Sequence, residues 1–203
     1  ANRLGANSLL SAAYGGFAAG PSIVEYVQGL DSTYESVDEA TVKDALARDR
    51  AEYEGILKLD GPENPYTLHE ELGALMTENV TIVRENAKLA ATYEKLFDIA
   101  ERYQHIGIDD RSTWSNLTAP FVRQLGGMID LAKVITLGAL NRNESRGSHY
   151  KPEFPDRNDE EWLKTTMASY DAAADAPVLS YEPVDVSLIK PRKRDYTKTK
   201  KEA

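Results

Sequence analysis

Apolar residues recur at helical spacing along most of the chain. Leu9, Leu10, Ala12, Ala13, Tyr14, Phe17 and Ala18 run on through Ile23, Val24 and Val27, which predicts one helix capped by Asn7 or Ser8 and continued past Pro21. Its faces are small and apolar, so deep burial is expected. Gly29-Leu30-Asp31-Ser32 ends it, and a charged, weakly amphipathic helix is expected from Thr41 to Leu57. Gly61-Pro62-Glu63-Asn64-Pro65 is the strongest breaker in the chain and marks the expected domain boundary. Beyond it, Leu68, Leu72, Leu75, Met76, Val80 and Val83 form one stripe, and Leu89, Tyr93, Leu96, Phe97, Ala100 and Tyr103 a second. After a connector from Ile106 to Asn116, Phe121, Leu125, Met128, Ala132 and Ile135 predict a third helix reaching Asn141. Three long helices with short joints make an antiparallel bundle. The β-branched run Val80-Thr81-Ile82-Val83 also reads locally as strand, which leaves the end of the first bundle helix open.

Downstream, Pro152 and Pro155 predict extended chain over Tyr150 to Asn158, and Asp159-Glu160-Glu161-Trp162 the acidic start of a short helix. Val184, Val186 and Leu188 alternate with Asp185 and Ser187, the pattern of a strand. Trp114 and Trp162 are read as packing residues.

Charge and composition narrow the function. The 203 residues carry 33 acidic and 24 basic side chains, a net charge of -9, which disfavours nucleic acid as the main partner. The chain has no cysteine, so it has no disulfide, thiolate metal site or thiol nucleophile. Its three histidines, His69, His105 and His149, lack the spacing of a zinc-binding pair. Residues 190–203 hold seven Lys or Arg against two acids, opposite in sign to the body. That tail reads either as a solvated end or as a contact with a partner subunit or anionic headgroups. Arg3 ahead of Leu9 to Val24 admits a signal-peptide reading. Ser11, the glycines and Pro21 interrupt that run, and it falls short of the roughly 20 apolar residues of a membrane span. The opening on Ala1 rather than Met reads as the middle of a longer polypeptide.

No G-x-G-x-x-G, P-loop, G-x-S-x-G or H-E-x-x-H motif is present. Two stretches still invite chemistry. At the first, the helix opening near Ser8 presents N–H groups and a dipole suited to an anion or an electron-rich carbonyl, and Arg3 just outside it can hold a carboxylate bidentately. A surface Arg before an ordinary capped helix is the plainer reading. At the second, Asn141 to Tyr150, three potential cations and Glu144 occupy a Gly-broken turn. There Arg142 and Arg146 either pair with Glu144 and helix-end carbonyls or form an interdomain clamp or cofactor-facing loop.

Three blocks carry a family resemblance: Asn2-Arg3-Leu4-Gly5-Ala6-Asn7-Ser8-Leu9-Leu10, Glu144-Ser145-Arg146-Gly147-Ser148-His149, and Phe154-Pro155-Asp156-Arg157-Asn158-Asp159-Glu160-Glu161-Trp162. In order and separation they resemble the flavoprotein subunit of succinate dehydrogenase and fumarate reductase, over all 203 residues and the C-terminal third of that subunit. The ending Leu188 to Tyr196 is most similar to the bacterial menaquinone-linked succinate dehydrogenase branch. The first two blocks are shared with L-aspartate oxidase, and the third favours the dehydrogenase.

The resemblance implies a mainly α chain. Residues 1–30 would be the terminal helix of an FAD-binding domain, 31–64 a connecting segment, 65–142 a three-helix bundle, and 143–203 a C-terminal extension with a basic tail. It implies that Arg3 grips a carboxylate of succinate or fumarate, that Asn7, Ser8 and Leu9 meet the flavin, and that Arg146 and His149 lie between the helical and flavin domains. No catalytic residue and no metal site is expected in this chain. The implied cofactor is FAD, bound mainly by residues upstream. The implied partners are an iron-sulfur subunit and a membrane-anchoring cytochrome b subunit at the cytoplasmic face of a bacterial membrane. The 203 residues alone are expected to be inactive with succinate. A fumarate reductase, an L-aspartate oxidase and a helical docking module without a catalytic role are the alternatives.

Overall fold

The computed structural model describes residues 8–192. Six α-helices and a two-stranded hairpin follow in order: α1 (Ser8–Gln28), α2 (Glu39–Ile56), α3 (Pro65–Asn79), α4 (Asn86–Tyr103), α5 (Thr118–Asn141), α6 (Asp159–Trp162), β1 (Lys164–Asp171) and β2 (Ala176–Pro183). The fold is mainly α.

Local chemistry sets the helix ends. Asn64 caps α3, its Oδ1 accepting from the Tyr66 and Thr67 N–H groups, while Pro65 fills the first position, where a missing N–H costs nothing. Asp38 and Asn158 cap α2 and α6 in the same way. Asn116 places its Oδ1 2.9 Å from the Ala119 N–H at the head of α5.

α3, α4 and α5 form the bundle. Leu68 and Leu72 of α3, Leu96 and Ile99 of α4, and Val122, Leu125 and Ile129 of α5 meet in one core, closed by Ile56 of α2 and by Ile106 and Ile108 of the α4–α5 connector. Burying each large aliphatic side chain stabilises by about 1.5–3 kcal/mol, so this cluster is the main source of stability. The connector lies tight against the loop before α3: the Gly61 N–H donates to Ile106 O, and the Gly107 N–H to Glu63 O. A Cβ on Gly61 would collide with the His105 carbonyl, and one on Gly107 with the Gly61 carbonyl.

The Val80–Val83 ambiguity resolves into both readings in turn. α3 ends at Asn79, Val80 caps it, and Val83 then makes a single parallel bridge to Tyr150.

Three expectations are corrected. The strand over Val184–Leu188 does not form, and the hairpin lies just before it, with Lys164 opposite Pro183 and Asp171 opposite Ala176. Alternation alone gave residues 184–188 no partner strand, and Leu188 is 95% exposed. α1 forms with Pro21 inside it but buries none of its residues, because no described element packs closely against it. Trp114 does not pack and is 86% exposed. Trp162 does pack, edge-on to Tyr181.

Candidate functional site

Two of the sequence-derived site residues, Arg3 and Asn7, lie outside the described residues, as does the tail from residue 193. Ser8 and Leu9 open α1, whose first turn carries no acidic side chain. The second candidate stretch is fully described and forms a dense polar cluster.

That cluster begins where α5 ends. Arg142 leaves the helix in extended conformation, and the chain doubles back through a two-residue turn in which Arg146 and His149 exchange backbone hydrogen bonds of 2.8 and 3.0 Å. Gly147 takes φ +62 at the first central position of that turn, the left-handed region favouring glycine.

Glu144 is wholly buried. Its Oε1 accepts from Arg142 Nη1 at 2.7 Å and Arg146 Nε at 2.8 Å, and its Oε2 from Arg146 Nη2 at 3.0 Å and the Asn158 N–H at 2.9 Å. Burial pushes its pKa up, but the Arg146 fork, the Asn158 N–H and Arg142 outweigh it and hold the carboxyl below its usual range. The two arginines reach onward. Arg142 donates to the Trp162 and Lys164 carbonyls and to Thr166 Oγ1, and lies over the Trp162 ring. Arg146 also binds Asp159 at 2.7 Å. The pairing of both arginines with Glu144 thus joins the end of α5 to α6 and β1.

His149 is buried between two fixed groups. Arg84 Nη1 lies 2.7 Å from its Nδ1 and can only donate, so the ring is the tautomer whose Nε2–H donates to the Arg142 carbonyl at 2.9 Å. Burial lowers its pKa; the Arg142 carbonyl partly opposes this, and the charges of Arg84, Lys151 and Arg142 add to the lowering.

Lys151 escaped the sequence reading although it is fully buried. Its Nζ donates to Asn86 Oδ1 at 2.6 Å, Leu140 O at 2.9 Å and Asn143 Oδ1 at 3.0 Å. All three donors are used, and one of them satisfies an end carbonyl of α5. Burial brings its pKa down to about 8. Its only sequence signal is a cation two residues after His149. No cluster of His, Cys, Asp and Glu among the described residues could hold a metal ion, and no described helix is long and apolar enough to cross a membrane. The cluster holds helices and strand together.

The family model for the C-terminal part of the fumarate reductase flavoprotein matches residues 69–196. The chain belongs to that family. A curated relative, the succinate dehydrogenase flavoprotein subunit of Bacillus subtilis, is 54% identical over 199 residues, 98% of this chain and 34% of that protein. The fumarate reductase flavoprotein subunit of Haemophilus influenzae is 33% identical over 97% of this chain and 32% of its own length. A solved structure of E. coli quinol fumarate reductase superposes with a TM-score of 0.73 at 28% identity, over 78% of this chain and 27% of that one. This flavoprotein chain spans about a third of the length of the curated relatives it matches. The identity to the B. subtilis subunit, against 33% to the H. influenzae one, agrees with the bacterial dehydrogenase resemblance of the sequence.

Proposed function

We propose that this chain is the C-terminal part of a succinate dehydrogenase flavoprotein subunit, which takes a hydride and a proton from succinate to give fumarate. The observation that carries the reading is 54% identity across 98% of the chain to a subunit of that name. FAD, when bound, supplies the hydride acceptor, and the electrons leave through an iron-sulfur subunit and a membrane-anchoring cytochrome b subunit to quinone. The complex sits at the cytoplasmic face of the membrane, with this chain peripheral.

Within that reading, residues 1–30 close the FAD-binding domain, 31–64 connect, 65–142 form the bundle, and 143–203 extend from it. Arg3 grips one carboxylate of succinate through paired N–H donors. Asn7, Ser8 and Leu9 meet the flavin, Ser8 and Leu9 from the first turn of α1. The donor set fits: no acid stands in the first turn of this helix of 21 residues, so the positive end of its dipole favours an electron-rich group. Arg146 and His149 position the interface between the helical and flavin-binding domains.

Fumarate reduction is the second reading, favoured by the match to E. coli quinol fumarate reductase. The purified complex containing the full subunit decides between them. Succinate-dependent dye reduction faster than fumarate-dependent oxidation of reduced dye supports the dehydrogenase, the reverse supports the reductase, and neither activity removes both.

A further inference from the structure

Tryptophan is rarely left in water, because burying its large ring is among the largest single gains available to a side chain. Trp114 is nevertheless 86% exposed, and Leu117, three residues on, is 81% exposed. The loop that carries them is ordered from within. Asp110 Oδ1 accepts from the Ser112 N–H at 3.0 Å, Asn116 Nδ2 donates to the carbonyls of Asp110 at 2.8 Å and Ser112 at 3.0 Å, and Ser115 holds φ 56. The ring is therefore displayed at little further entropic cost on binding.

The surroundings say what it meets. Asp60, Asp109 and Asp110 stand around the loop with Arg111 as the local base, and a cavity of about 280 Å³ beside it is lined by Asp60, Glu63, Asp109 and Arg111. Glu63 is already neutralised by Arg102 at 3.0 Å, which leaves Asp60 and Asp109 to face a basic side chain entering from outside. The same acids repel nucleic acid and anionic lipid. α1 differs in kind: its exposed large apolar residues run from Leu9 to Val27 with Glu25 the one charge among them, as in an element built for a core. A single aromatic anchor within a charged rim has the anatomy of a binding hot spot.

We propose that Trp114 and Leu117 anchor a docking surface for a partner subunit that offers an apolar pocket edged by lysine or arginine. The existence of such a subunit rests on the flavoprotein reading above; the chemistry of its patch rests on this loop. The test places the photo-crosslinker p-benzoylphenylalanine at position 114 of the full subunit in its native complex, with peptides identified by mass spectrometry after irradiation. The expected adduct joins position 114 to a co-purifying subunit, at a peptide whose apolar residues are flanked by Lys or Arg. Asp60→Lys with Asp109→Lys lowers its yield several-fold. Trp114→Ala weakens association with that subunit about tenfold or more and leaves the melting temperature nearly unchanged, since the residue is 86% exposed. An adduct within the same polypeptide, a lipid adduct, no adduct, or a yield indifferent to charge reversal would each overturn the proposal. Succinate-dependent dye reduction by the same preparation reports separately on the flavoprotein reading.

Discussion

Arg146 closes a fork on Glu144, its Nε 2.8 Å from one carboxylate oxygen and its Nη2 3.0 Å from the other. The carboxylate is wholly buried and Arg142 takes a further bond to it at 2.7 Å, so it is the counter-charge of Arg142 and shares Arg146 with Asp159. Glu144→Gln keeps the shape and removes the charge. It is expected to destabilise the subunit by about 3–5 kcal/mol, the cost of leaving buried partners uncompensated. Urea unfolding at neutral pH measures this, and a loss under about 1 kcal/mol would mean that the cluster is dispensable.

The same cluster sets an acid limit. His149 has a folded pKa below its unfolded value, so the neutral ring contributes stability above about pH 6.5. That contribution is lost as pH falls through the folded pKa, because the unfolded chain takes up a proton first. Glu144 adds a loss in the same direction below about pH 4.3. A His149→Gln subunit should therefore show a flatter stability profile between pH 7 and 5 than the native subunit. Parallel profiles in that window would contradict the placement of the ring.

Lys151 acts at the opposite end of the scale. Its folded pKa, about 8, lies below the unfolded value of about 10.4, so the folded state gives up its proton first and the stability of the native subunit relative to Lys151→Met should rise between those pH values. The variant is expected to be less stable at pH 7, since Asn86 Oδ1, Leu140 O and Asn143 Oδ1 all lose their donor. Denaturant unfolding of both proteins across the range checks the sign of the slope; a constant difference would show that Lys151 titrates normally.

Two glycine substitutions separate crowding from conformation. Gly147→Ala meets no atom within 4 Å and is strained only by its φ of +62, which costs about 1 kcal/mol. Gly61→Ala drives a methyl into the His105 carbonyl and should cost clearly more, because backbone of both the connector and the loop before α3 has to move. Melting temperatures in the reverse order would refute this account of the connector.

How legible the fold was varied with the element. Leu68, Leu72, Leu96, Leu125 and their neighbours announced the bundle, because a helix buried on one face writes that face at fixed spacing. The hairpin escaped because its strands are exposed on most positions, so their sequence does not alternate. A usable signal was nonetheless present: Thr165-Thr166-Met167 and Val178-Leu179-Ser180-Tyr181 flank a short Asp- and Ala-rich turn. In the site, pairing of Arg142 and Arg146 with Glu144 was readable from their closeness in sequence. Lys151 was not, since its partner Asn86 lies 65 residues away. Trp114 was misread because residue type argues for burial and only the loop geometry shows it facing solvent.

Under the proposed function this chain belongs to a working succinate site, with Arg3 expected to tie it there. The most direct measurement is succinate turnover by the native complex with Arg3→Gln in its flavoprotein subunit, alongside flavin content and subunit stoichiometry. Normal assembly and flavin are expected, with at least about a tenfold loss of kcat/KM, the equivalent of losing one charge-assisted hydrogen bond to a carboxylate. Unchanged kcat/KM in a normally assembled complex would contradict this role and leave the chain a docking module.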